Sequence, residues 1–237
     1  MLWYKGWLET RYRLVFLLLF LGLMLSLQYY ALHDMQNIIA REGPKSMVLG
    51  MMAFTALPTL IIFVIMAGAG IVTQTLLATR GIHGSMQYTL ALPVSRIRLL
   101  MVRASMGWVG AAIATGIFCC ALWMLYPQLR AMGTPAELAE HVGTLVGCAS
   151  VIYFLSVLLA TFLDDQGRAL GSTFSLFVLW WFSLRGQMPV SIDIVRAMGK
   201  GSPLVTHVMP WTPIGVSLGV SVVLFFAALQ VARMREY

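Results

Sequence analysis

Charge is what this chain has least of: 11% of its 237 residues are Asp, Glu, Lys or Arg, while 59% are hydrophobic. Soluble domains carry roughly 25% charged residues, so a soluble fold is excluded, and the mean hydropathy of +0.84 points the same way. The longest stretch between apolar runs is about thirty residues, too short for a separate soluble domain. The three cysteines, Cys119, Cys120 and Cys148, all sit inside apolar runs and form no C-x-x-C pair. Neither a disulfide framework nor a zinc site is supported, and the cysteines read as small hydrophobes. A cleavable secretory leader is not expected either. Trp3, Lys5, Trp7, Glu9, Arg11 and Arg13 precede the first apolar run, and no small-residue cleavage site follows it.

Charge is also missing from inside the apolar runs, which removes whole classes of function. No Asp, Glu, Lys, Arg or His lies mid-run, and intramembrane enzymes and ion-driven pumps both need such groups. His33, His83, His141 and His207 fall at or beyond run ends, without H-E-x-x-H spacing. Gly171-Ser172 lacks the context of an intramembrane serine nucleophile. The pair Asp164-Asp165 reads as a helix cap at a positive N-terminal dipole. No Gly-x-x-x-x-Gly-Lys-Ser/Thr loop is present, so ATP is not bound that way. No catalytic residue and no metal ligand is assigned. The net charge of +7 is the accumulation of Lys and Arg on the cytoplasmic side rather than a nucleic-acid surface.

What is there predicts an all-α membrane protein. A helix needs about 20 apolar residues to cross a core of about 30 Å. Six runs qualify or nearly do, giving spans at about 14–32, 47–72, 104–126, 142–163, 166–184 and 211–232. The fifth is the weakest, because only 169–184 is free of charge and it must borrow 164–168 or tilt at a thinned site. Six spans place both termini on one side. With the termini inside, ten Lys and Arg are cytoplasmic and six lie outside, so the cytoplasmic membrane with both termini cytoplasmic is the expected arrangement.

Residues 1–13 read as a helix on the inner surface, with Trp3, Tyr4, Trp7 and Leu8 on one face and Lys5, Glu9 and Arg13 on the other. It serves either as a juxtamembrane anchor or as an elbow that moves with the first span. Pro58 is expected to kink the second span, and Gly68-Ala-Gly70 to let a neighbouring backbone approach. Beyond Arg185, an amphipathic stretch runs through Val190, Ile192, Ile194, Val195 and Met198 to Gly199-Lys-Gly201. Ser202-Pro203 then reads as an N-cap with proline at the first helical position, and Pro210 and Pro213 close that piece. Two short helices re-entering the membrane from outside fit the pattern, and so does an amphipathic surface loop.

The most informative stretch is 73–103, which holds Arg80, Arg96, Arg98 and Arg103 and no acidic residue. Residues 86–92 can form a short helix bearing Leu90 and Leu92, with Gln87 and Tyr88 alongside. Pro93 ends it by forcing Leu92 out of the α region, and Ser95 can cap a new helix running through Arg96 into the third span. The result is an elbow on the cytoplasmic side. Its arginines either grip carboxylates of a partner or only enforce topology and touch lipid headgroups.

The stretch Gly84-Ser85, Tyr88, Leu90, Leu92-Pro93-Val94-Ser95-Arg96 and Leu99, with the basic tail ending in Arg233-Met-Arg235-Glu-Tyr, resembles the membrane subunits of ATP-binding-cassette (ABC) exporters of the type-2 permease family. Thr79-Arg80-Gly81-Ile82-His83 departs from the family, many of whose members carry a glutamate shortly before the Gly-Ser/Thr. The resemblance implies that the elbow is a coupling helix seated in an ATPase. Gly84, Gln87, Leu90, Leu92, Pro93, Val94, Ser95 and Arg96 are then its candidate coupling residues. It further implies ABC ATPase subunits that carry the ATP and Mg, a second permease copy or relative forming a homo- or heterodimer, and membrane lipids as surroundings. The second and fifth spans would line the route, where Thr55, Thr59, Ser172, Thr173 and Ser175 are the available polar side chains. The expected function is export of an amphiphilic or small organic substrate. The other reading is a non-transport sensor or assembly factor driven by an ATPase.

Overall fold

A computed structural model describes Val15, Leu19, 22–24, Ser26 and Tyr30, and then 59–71, 96–125, Arg130, 133–163, 166–180, Pro189, 192–199 and 201–234. Among these residues the protein is helical, without a strand. The elements are α1 (Thr59–Ile71), α2 (Arg96–Leu125), α3 (Pro135–Phe162), α4 (Gln166–Leu179), α5 (Ile194–Met198), α6 (Pro203–Thr206) and α7 (Trp211–Met234). The surface helix expected at 1–13, the elbow up to Ser95 and the Asp164-Asp165 cap lie outside the described residues.

Three helices, α2, α3 and α7, are long and apolar enough to cross a membrane. At 1.5 Å per residue they measure about 45, 42 and 36 Å, each more than a hydrocarbon core of about 30 Å. Helix α4 is described over 14 residues, about 21 Å of α-helix, with Trp180 after it in π geometry. Helix α1 is a 13-residue portion of the run expected at 47–72.

The arrangement is built around α3, which packs against α2, α4, α5, α6 and α7. Helix α2 runs antiparallel to it: Tyr153 meets Ala104, and one turn further along α2, Trp108 meets Ser150. Helix α7 runs parallel to α3, with Met209, Ile214 and Phe225 against Gly143, Gly147 and Phe154 in register. The buried positions of α7 are Pro213, Ile214, Ser217, Ser221, Ala228 and Ala232, mostly small, whereas Val216, Leu218, Val222, Val223 and Phe226 face outward. Small residues inward and large apolar ones outward is the pattern of a helix packed against its neighbour within lipid, where backbone proximity replaces the hydrophobic drive.

Helix α3 begins seven residues before the apolar run expected at 142. Thr134 is its N-cap, Pro135 follows at the first position, and Glu137 completes a reciprocal capping box. Pro213 does not close the preceding piece. It lies in the first turn of α7, where a missing N–H leaves no intrahelical bond unmade.

Candidate functional site

The first described residues of α2 follow in sequence on the expected coupling elbow. Arg96 is the first described residue of α2. Gly84, Gln87, Leu90, Leu92, Pro93, Val94 and Ser95 lie outside the described residues. Arg98 is exposed, Leu100 is fully buried, and Arg103 is 8% exposed. With antiparallel and parallel partners as above, this end also holds Arg168 of α4 and Arg233 of α7, so the described charges there are all basic.

From the residue after Arg103 onward, α2 is bolted to α3. The Tyr153 hydroxyl, fully buried, donates to the Ala104 carbonyl at 2.7 Å. Trp108 Nε1 donates to Ser150 Oγ at 2.9 Å, and that hydroxyl donates onward to the Val146 carbonyl at 2.7 Å. Both bonds sit where water is scarce, so each polar tip needs its partner. Helix α1 reaches the same level. A Cβ added to Gly70 would overlap Ser156 Oγ and stand 2.6 Å from the Tyr153 carbonyl oxygen, whereas Gly68 has open space. The close approach expected of Gly68-Ala-Gly70 therefore belongs to Gly70 alone. Ser156 in turn donates to the Tyr153 carbonyl at 2.7 Å. Tyr153 thus joins α1, α2 and α3 at a single level.

The second and fifth expected spans, represented by α1 and α4, meet through aromatic rings. Phe63 and Phe177 lie 4.9 Å apart between centroids, and Trp180 lies 6.5 Å from Phe63 and 5.9 Å from Phe177. Of the polar side chains expected there, Thr59 and Thr173 are buried, Ser172 is half-buried and Ser175 is exposed. The Thr173 hydroxyl donates to the Ala169 carbonyl of its own helix at 2.8 Å, the usual fate of threonine in a span. Thr173 and Ser175 stand on opposite sides of α4 and do not form one polar track. Thr55 lies outside the described residues.

At the other end of the bundle, a carboxylate–imidazole contact that the apolar runs did not predict joins distant parts of the chain. Glu137 Oε1 lies 2.6 Å from His207 Nδ1. Its other oxygen accepts from the Thr134 backbone N–H at 2.6 Å and from the Thr134 hydroxyl at 3.1 Å. The Thr134-x-x-Glu137 spacing signals the capping box; no local pattern signals a partner at 207. Bonding to Thr134 N–H first, and then to His207, holds the Glu137 carboxyl below the ordinary glutamate range, against a smaller opposing effect of burial. Glu137 belongs to the polar foot of α3, ahead of the apolar stretch 142–162. No protein-family model, curated protein or solved structure matches this chain.

Proposed function

We propose that the chain is the membrane-spanning permease subunit of an ATP-driven ABC exporter of the type-2 permease kind. It crosses the cytoplasmic membrane six times with both termini cytoplasmic, and it draws its energy from a separate ATPase subunit that docks on the elbow around Leu92-Pro93-Val94-Ser95-Arg96. Its cargo is an amphiphilic or small organic molecule, because the apolar runs offer no fixed charge to stabilise an ion. Two copies, or one copy and a relative, would enclose the route.

The observation that carries this reading is the continuity of α2. The helix is described from Arg96, the last of the candidate coupling residues, and runs unbroken for 30 residues to Leu125. A displacement imposed at the elbow is then delivered along a rigid rod about 45 Å long. The Tyr153–Ala104 and Trp108–Ser150 bonds pass it to α3. Such a contiguous body is what coupling between distant sites requires. The contact of Phe63 with Phe177 supports a role for the second and fifth spans as neighbours along a route.

The reading is tested by purifying the tagged chain from its native membrane in mild detergent. A nucleotide-hydrolysing subunit is expected to accompany it. Recovery of the chain without one would remove the energy source and favour a non-transport membrane role.

A further inference from the structure

Helices α5 and α6 pack onto the Thr134 end of α3, with Val195, Met198, Pro203 and Leu204 buried. Helix α5 is capped by its own chain, Asp193 Oδ1 accepting from the Val195 and Arg196 N–H groups at 3.0 and 3.1 Å. Helix α6 is held differently. Its four residues end at His207, which adopts φ 53° and donates its N–H to the Pro203 carbonyl at 2.9 Å. Among the described residues His207 is the one non-glycine with positive φ. An L side chain enters that region rarely, and it stays there when its surroundings hold it. Glu137 supplies the hold, because the imidazole is 60% exposed and, among the described residues, the carboxylate is its polar contact.

We propose that α6 is a hinged flap over the foot of α3 and that the Glu137–His207 contact is the latch that keeps it shut. The hinges are at its two ends. Before it, Gly201 donates to the Arg196 carbonyl at 2.7 Å, and a Cβ there would stand 3.1 Å from that same oxygen, so the turn suits glycine. After it, His207 to Pro210 form the bend that leads into α7. The latch is economical in residues: one carboxylate oxygen closes the capping box of α3 and the other holds the flap. Breaking the contact frees His207 to leave the left-handed region, and α6 then loses its polar tie to α3 while keeping only Pro203 and Leu204 as apolar anchors. The other charged groups of the elements packed at this end are Glu140 and His141 on α3, Asp193 and Arg196 at α5, and Arg130 beyond α2. Arg130 is committed to the Met124 carbonyl at 2.8 Å and Asp193 to its own helix. Helix α7 brings no charge to its first turns.

Ser202 gives a reporter. It is 3% exposed, and its side chain makes no capping bond, so Ser202→Cys changes little except the chemistry of the thiol. In the full chain, with Cys119, Cys120 and Cys148 replaced by alanine and the protein held in lipid nanodiscs, the rate of maleimide labelling at Ser202→Cys reads flap opening. Labelling is expected to be slow when the latch is intact and about tenfold faster with His207→Ala, the scale of a hydrogen bond to a charged group. His207→Asn, which tolerates the left-handed backbone but cannot reach Glu137 in the same way, should accelerate labelling as His207→Ala does. Thr134→Ala, which weakens the capping box and leaves the latch, should not. Equal rates with and without the His207 side chain would overturn the proposal. So would acceleration by Thr134→Ala as large as that by His207→Ala, which would mean fraying of α3 rather than release of a latch.

Discussion

Glu137 and His207 meet at 2.6 Å across 70 residues of chain, tying the first turn of the central helix to the residue that caps α6. The two ends of the protein are therefore secured by different chemistry: charge at the Glu137 end, and buried neutral hydrogen bonds around Tyr153 at the Arg96 end.

Acid should loosen the Glu137 end. The folded carboxyl titrates below its ordinary value of 4.5, because Thr134 N–H and His207 favour the ionised form. Its contribution to stability is complete above that ordinary value and is lost as pH falls through the lowered folded value. Thermal unfolding in nanodiscs, followed from neutral pH down to about pH 3, should show an acid-side decline. In Glu137→Gln this decline should be shallower and stability at neutral pH lower. A Glu137→Gln profile that runs parallel to wild type would remove the carboxylate from the account.

Tyr153→Phe deletes one hydroxyl and leaves the ring. The Ala104 carbonyl keeps its helical partner, so the cost is that of a single bond within a membrane bundle, about 0.6 kcal/mol and at most about 1.7. Tyr153→Ala removes the ring as well and should cost about 3–5 kcal/mol. Unfolding in a graded detergent mixture distinguishes these values, and equal effects of the two substitutions would show that the hydroxyl, not the packing, is the dominant element.

Gly70→Ala and Gly68→Ala differ by one methyl group placed two residues apart, yet they should behave oppositely. The first drives Cβ against the Ser156 side chain and the Tyr153 carbonyl; the second meets nothing within 4 Å. Overpacking of this kind costs about 1–3 kcal/mol, so Gly70→Ala should lower the melting temperature. Gly68→Ala should leave it unchanged or raise it slightly through helix propensity.

Much of this layout was legible in the chain itself. The apolar lengths of 104–126 and 211–232 pointed to two helices long and apolar enough to cross a membrane, because length and hydropathy are local properties. Ser202-Pro203 marked the start of α6, because such start signals are local too. The beginning of α3 was read seven residues late, since an apolar run measures the oily part of a helix and Thr134-x-x-Glu137 measures its true start. The bond from Tyr153 to Ala104 and the pair Glu137–His207 had no signal at all. Each joins residues whose proximity is set by how helices cross, which no spacing along one strand of sequence encodes. Thr173 and Ser175 face opposite sides of α4 because a helix turns 100° per residue, sending Thr173 inward and Ser175 outward.

The central claim is that the elbow ahead of α2 receives work from an ATPase, and its most direct test is comparative co-purification. The tagged wild type, Leu92→Asp and Arg96→Glu would each be recovered from native membranes and probed for an associated nucleotide-hydrolysing subunit. The account predicts that the wild type brings one down and that both variants lose it while remaining folded and membrane-inserted. An ATPase retained equally by all three, or absent from the wild type, would contradict it.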